Sequence, residues 1–386
     1  MRAATTRHHG NVVFTVLVTL TMLAGAVVMA LVMLGSGAPG ALVVGALLAA
    51  LPVGPLVAVF LWLDRYEPEP RGLILTALGW GALVATAVAL VIQALDQVAF
   101  GRPESVTAAV VAPISEEAAK GLFVLLLVVA RRRVVDGILD GIVYAGMVGV
   151  GFAFTENILY LAAAYMGGAG GPGGIEALTG TFVVRGIFSP FAHPFFTAAI
   201  GIGVGYAVTT RSGFWRVAAP LTGYAVAVLG HALWNGAAYA GGGQFFVLTY
   251  LFLMVPAFLL MAGLAVWARN REGRMLARAL TDAAQRGLLA PHEVPWLVRI
   301  SGRRAAREHA KAVAGAAGLR AMRDFQGQAI ELGFLHDRFL RGTAPADVVP
   351  RGQAMVERLA ALRPYVVFPH QPGTTAMTQP WLEGGR

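Results

Sequence analysis

Val106-Thr-Ala-Ala-Val-Val-Ala-Pro-Ile-Ser-Glu116-Glu117-Ala-Ala-Lys120-Gly-Leu-Phe-Val-Leu-Leu-Leu-Val-Val-Ala130 is a run of 25 residues in which two adjacent carboxylates and one ammonium interrupt an otherwise largely apolar segment. About 20 apolar residues at 1.5 Å each cover a hydrocarbon core of roughly 30 Å, so the run is long enough to cross a bilayer. An ionisable side chain in such a segment costs about 2.5 to 3.5 kcal/mol on insertion and marks a functional site by default. A membrane-spanning helix with a polar centre is therefore the first expectation.

Working outward, seven further apolar runs of similar length occupy residues 12–34, 41–63, 72–100, 142–165, 186–208, 217–239 and 245–268. They predict an all-α polytopic membrane protein with about eight transmembrane helices. The run at 12–34 is too long for a signal peptide, lacks an obvious small-residue cleavage site and is soon followed by the next span, so it reads as a retained helix.

Composition agrees. Of 386 residues, 57% are hydrophobic and 13% charged, where a soluble domain carries about a quarter charged. Residues 1–268 hold 12 Lys+Arg against 11 Asp+Glu, and residues 269–386 hold 18 against 10, dividing the net +9 into +1 and +8. The expected organisation is a membrane domain at 1–268 and a basic cytoplasmic tail at 269–386, helical at first and partly disordered towards its end. There is no cysteine, which removes disulfides, thiolate catalysis and Cys-ligated metals.

Arginine placement sets the expected orientation. With the N-terminus inside, the inner segments collect Arg2, Arg7, Arg65, Arg71, Arg131, Arg132, Arg133, Arg211, Arg216, Arg269, Arg271 and Arg274, while the outer ones hold Arg102 and Arg185. Both termini are expected to be cytoplasmic. The basic tail lacks an aromatic-basic or zinc-finger pattern, so its expected partner is the anionic inner leaflet of the lipid bilayer and not nucleic acid. Seven glycines and one proline between positions 166 and 180 predict a flexible outer loop.

Polar residues break four of the spans: Glu116, Glu117 and Lys120; Glu156 and Asn157, with apolar Phe152 one turn before Glu156; His193; and His231 with Asn235. Measured from the outer ends of their helices, Glu116, Glu156, His193 and His231 all lie roughly 10 to 15 Å deep. Helices of alternating direction thus place their polar groups in one layer. Glu116 and Lys120 are four apart and can pair, leaving Glu117 about 100° away to face a cavity. Phe152, Glu156 and Tyr160 share a face, as do His231 and Asn235, whose amide can orient the imidazole or hold a substrate carbonyl.

Two chemistries fit this set. His193, His231 and Glu156 could hold a divalent metal, with zinc the candidate cofactor. Alternatively a glutamate activates water without a metal, while His and Asn stabilise the oxyanion. The HExxH signature is absent, and His292-Glu293 in the tail continues Val-Pro-Trp. Serine and aspartyl intramembrane chemistries lack their Gly-x-Ser-Gly and Gly-x-Gly-Asp segments. A proton-coupled transporter or a non-catalytic membrane scaffold would use the same residue types, but no internal repeat favours transport.

Glu116-Glu117-x-x-Lys120, Phe152-x-x-x-Glu156-Asn157, His193 and His231-x-x-x-Asn235 resemble, in order and placement, the motifs of the PrsW family of intramembrane proteases. Asp64-Arg-Tyr-Glu-Pro-Glu-Pro70 and Asp140-Gly-Ile-Val-Tyr144 extend the resemblance, which covers roughly residues 60–240. Ala118 stands where many members have Pro. The family is related to CAAX-prenyl endopeptidases and Abi-type membrane proteins. The resemblance implies a membrane-embedded peptidase acting on a single-span membrane protein. Glu116, Glu117 and Glu156 would activate water or bind metal, His193 and His231 would be ligands or oxyanion stabilisers, and Asn235 would support them. The namesake substrate is a membrane-anchored anti-sigma factor, which no residue here reads.

Overall fold

The computed structural model describes residues 2–131, 134–168, 171–240 and 243–369, with side chains from residue 12 onward. Arg132, Arg133, Gly170 and the prolines at 372 and 380 lie outside the described residues. Among the described residues all regular structure is helical. Contacts divide the chain into two compact units, Met1–Arg269 and Asn270–Arg386.

Among the described residues seven helices are long and apolar enough to cross a membrane: α1 (Val12–Gly35), α2 (Pro39–Leu63), α3 (Arg71–Phe100), α5 (Ile138–Met166), α6 (Gly174–Thr209), α7 (Gly213–Tyr239) and α8 (Gly243–Gln285). The segment that carries Glu116 and Glu117 forms α4 (Ala112–Ala130), preceded by a π-helical turn at Thr107–Val111. It is not among the seven, because Glu116, Glu117 and Lys120 make it more charged than the others over a comparable length.

The expected glycine-rich loop at 166–180 is shorter than predicted. Helix α6 begins at Gly174, running through a π-helical turn at Val183–Phe188 and a break at 189–191 before its second half. Glycine content alone misled, because Ile175, Leu178 and Phe182 supply an apolar face and Leu178 is buried.

Helix α5 is the centre of the membrane unit and is buried along most of its length, packing against α2, α3, α4 and α6. Glycines let these backbones touch. A Cβ on Gly201 would lie 2.1 Å from the Gly141 carbonyl oxygen, and one on Gly151 would lie 1.9 Å from that of Leu78. Gly149 meets the backbone of His193 and Pro194 in the same way, which seats His193 against α5. At one end of α5, Tyr144 donates a hydrogen bond to Glu69 at 2.7 Å, and the Glu69 N–H donates to Asp64 at 2.8 Å. Burial pushes the Asp64 carboxyl up to about 7, against the lowering pull of that N–H. The Asp64 to Pro70 segment is thereby fastened to the central helix.

The second unit packs the end of α8 with α9 (Ile300–Leu340) and α10 (Val348–Leu362) around Leu276, Leu280, Phe325, Leu335 and Leu359. Helix α9 is broken at Gly315, whose φ of 61° is left-handed. Helix α10 carries regular structure to Leu362. Pro350 falls in its first turn, where a missing N–H removes no intrahelical bond, and Met355 and Leu359 are buried.

Gly201→Ala should lower the stability of the detergent-solubilised protein by about 3 kcal/mol, since neither backbone can move without opening the α5–α6 contact. Gly180→Ala, with no atom within 4 Å of its Cβ position, should change it little. Thermal unfolding of the two variants checks this.

Candidate active site

Helices α3 to α7 converge on one polar cluster. Lys120 is its hub. It has no exposed surface, and its Nζ lies 3.2 Å from Glu116 Oε2, 2.8 Å from Glu117 Oε1 and 3.0 Å from His193 Nδ1. An ammonium has three protons and accepts nothing, so these partners saturate it. Its remaining side faces the Phe152 ring, 3.6 Å from the centroid.

Those contacts fix the imidazoles. His193 Nδ1 faces an ammonium and must accept, so Nε2 carries the proton and donates to Glu156 Oε2 at 2.8 Å. His231 Nδ1 faces a carboxylate and must donate, to Glu117 Oε1 at 3.1 Å. His231 Nε2 is left with its lone pair, 3.8 Å from Glu116 Oε2. The two rings pack edge to face at 5.1 Å, and Phe196 stacks on His231 at 5.0 Å.

The structure brings together Glu116, Glu117, Lys120, Phe152, Glu156, His193 and His231, with two differences from expectation. Lys120 contacts both α4 glutamates, and it is Glu116 that faces a cavity, while Glu117 is fully buried beneath it. The i,i+3 contact to Lys120 draws Glu117 inward, where the Thr197 hydroxyl donates to its other oxygen at 2.9 Å. Asn235 does not orient His231. Its amide donates to the Ala108 carbonyl at 2.9 Å and lines the cavities, while Glu117 orients the ring.

Sequence reading missed Gln93, Thr197 and Arg185. Gln93 donates to Glu116 Oε1 at 3.3 Å. Arg185 donates to Glu156 and, at 2.7 Å, to Asn157 Oδ1. Thr197 sits one helical turn from His193, and Gln93 is a polar residue in an apolar span, so both carried a signal. Arg185 read only as a loop arginine because α6 was begun twelve residues too late.

Two cavities adjoin the cluster. One of about 400 Å³ is lined by Asn157, Arg185, His193 and Asn235. The other, about 290 Å³, is lined by Gln93, Glu116, Phe152 and Glu156. They share Ala108, Tyr160, Asn235 and Tyr239, so the two form neighbouring parts of one approach.

Three carboxylates, Glu116, Glu117 and Glu156, meet two fixed cations, Lys120 and Arg185. One negative charge is left over in the set, which favours a cation there. Glu116, His193 and His231 each offer a ligand atom, all within 4.8 Å of one another. The imidazole lone pairs are those of His193 Nδ1 and His231 Nε2, and each ring directs its N–H to a carboxylate, Glu156 or Glu117. That arrangement of ligand and outer carboxylate suits an imidazole-bound divalent ion, which would take over the His193 lone pair that Lys120 Nζ now occupies at 3.0 Å. Glu156, expected as a ligand, stands behind His193 with its charge facing Arg185, and Glu116 takes the inner position. In the second unit, the Glu293 carboxylate accepts from Arg363 at 2.7 Å and from the Ala290 N–H at 3.0 Å, which accounts for the His292-Glu293 pair structurally.

A protein-family profile described as PrsW family intramembrane metalloprotease matches residues 69–261. Protease PrsW of Geobacillus kaustophilus (strain HTA426) is 30% identical over 152 residues, covering 39% of this chain and 61% of that protein. The chain thus spans less than two thirds of that relative's length. No solved structure matches it.

Removing the hub should be costly. Lys120→Met leaves two carboxylates buried without their cation and should destabilise the protein by about 3 to 5 kcal/mol, whereas Thr197→Val, which removes one hydrogen bond, should cost about 1 kcal/mol. Unfolding of the solubilised variants measures both.

Proposed function

Since the chain belongs to the PrsW family of intramembrane metalloproteases, we propose that it is an endopeptidase that hydrolyses peptide bonds of membrane-anchored proteins within the bilayer. The observation that carries this reading is the buried Glu116, His193 and His231 group opening on a cavity through Glu116. We read α4 as an eighth span, both termini as cytoplasmic and the site as nearer the outer face, on the distribution of arginines along the chain.

Peptide hydrolysis needs a base for water, a counter-charge for the tetrahedral oxyanion and a donor for the leaving amine. Glu116 is the α4 carboxylate that cavity water reaches, so it takes the water proton through Oε1, the oxygen beside Gln93. Lys120 holds its other oxygen and offsets the charge left on neighbouring Glu117 as the proton moves. The Asn157 and Asn235 amides line one cavity and can donate to the oxyanion. Protonated Glu116 then returns its proton to the amine. Glu117 works one layer back, keeping His231 and Lys120 in place. A divalent ion held by Glu116, His193 and His231 would supply Lewis-acid polarisation of the carbonyl and a more acidic water.

A second reading rests on Lys120, whose ammonium already touches Glu116 and His193, two of those three ligands. There the ammonium supplies the positive charge, and Glu116 activates water alone. The substrate is a single-span protein in either reading. Its helix must unwind at the scissile bond, because helical carbonyls are hydrogen-bonded and shielded. An anti-sigma-factor-like protein is one such substrate.

With full-length protein in lipid nanodiscs and a single-span reporter, Glu116→Gln should lower kcat by about 10² to 10⁴-fold with little change in KM. Chelation should abolish cleavage and zinc should restore it under the metal reading, and chelation should leave it unchanged under the second. Full cleavage by Glu116→Gln would contradict both.

A further inference from the structure

Arg185 reaches the cluster from the π-helical turn of α6, yet every contact it makes in the cluster is on α5. Its Nε donates to Asn157 Oδ1 at 2.7 Å, its Nη2 donates to Glu156 Oε2, and its guanidinium lies 3.9 Å from the Tyr160 ring centroid. These three residues line one stretch of the central helix. The Glu156 oxygen it grips is the same one that accepts from His193 Nε2, and His193 lies eight residues further along α6.

Resting on the protease reading above, we propose that Arg185 is a positioning residue that holds the Glu156 carboxylate against the His193 ring and so keeps His193 Nδ1 turned towards Lys120 and Glu116. Three observations favour this over its neighbours. The Nε and Nη2 donors are both committed to α5, which fixes the guanidinium on the central helix and leaves only its Nη1 side for any other partner. An ordinary surface ion pair is screened by water and contributes little, whereas this one is mostly withdrawn from solvent, with Glu156 side-chain exposure of 15% and Arg185 of 23%. The guanidinium plane also stacks on Tyr160 while its edge meets Glu156 and Asn157, a geometry that suits a planar fork and not a lysine ammonium.

The π turn explains how the side chain gets there. An i to i+5 turn carries one extra residue and rotates the helix beyond it, and such turns recur at functional sites. Here Val183–Phe188 turns Arg185 back onto α5, and the break at 189–191 resets the helix so that His193 meets the same carboxylate. Two residues of one element thus bracket one oxygen of Glu156. Without Arg185, that oxygen keeps its bond from His193 but loses its cation, and the carboxylate can rotate into the cavity it lines.

The test uses full-length protein in lipid nanodiscs with the single-span reporter. Arg185→Ala should lower kcat about 100-fold with KM within about threefold, Arg185→Lys should recover less than about a tenth of the loss, and added guanidinium ion should raise kcat of Arg185→Ala about 10-fold or more. Guanidinium should do nothing for Glu156→Gln, and Arg185→Ala combined with Glu156→Gln should be no slower than Glu156→Gln alone. A raised KM with kcat intact would overturn the proposal in favour of substrate recognition. A loss without guanidinium rescue would overturn it in favour of a structural cross-link.

A readout independent of cleavage is the exchange of the His193 Nε2 proton, followed by ¹⁵N NMR with His193→Gln to assign the signal. Protection in the wild type that is lost in Arg185→Ala supports the proposal. Equal protection in both overturns it. Absence of cleavage by the wild type would sink the protease reading instead, and the exchange comparison would still decide the role of Arg185.

Discussion

One ammonium holds the membrane unit's polar centre together. Lys120 is fully buried and divides its three protons among Glu116, Glu117 and His193, which come from two helices, while the ring of Phe152 on a third covers its remaining face. In a medium of low dielectric constant both glutamates depend on that counter-charge, and the desolvation of three ions is recovered only when geometry is good and every lone pair is used. The rest of the site depends on it. With Lys120 on Nδ1, His193 presents its N–H to Glu156; with Glu117 drawn inward, His231 presents its own N–H to that carboxylate and its lone pair to Glu116.

That centre requires close packing around it. Charged groups shared among helices need those helices to hold their spacing to a few tenths of an ångström, and the glycine contacts of α5 provide it. Gly141 against Gly201, Gly151 against Leu78 and Gly149 against the His193 backbone leave no room for a side chain. The same residues that look like flexibility in a sequence are here the points of least freedom. The π turns that precede α4 and interrupt α6 both lie beside the cavities.

Much of this was legible beforehand, for identifiable reasons. Apolar length is a local property, so seven spans could be read directly, and the common depth of Glu116, Glu156, His193 and His231 came from counting along helices. What counting could not give was rotation and partnership. The roles of Glu116 and Glu117 relative to the cavity depend on which one Lys120 pulls inward, and an i,i+3 and an i,i+4 contact are both open to a helical lysine. Asn235 shares a face with His231 but bonds Ala108 instead. Arg185 was hidden because glycines at 167–174 masked the start of α6.

Lys120 and the α4 glutamates stabilise the fold as one unit and not as separate contacts. The most direct measurement of this is a double-mutant cycle on the unfolding of the solubilised protein with Lys120→Met, Glu117→Gln and the pair. A coupling of about 2 kcal/mol or more is expected, with the double variant more stable than Lys120→Met alone because the stranded carboxylate has been neutralised. Losses that simply add would contradict a shared polar centre.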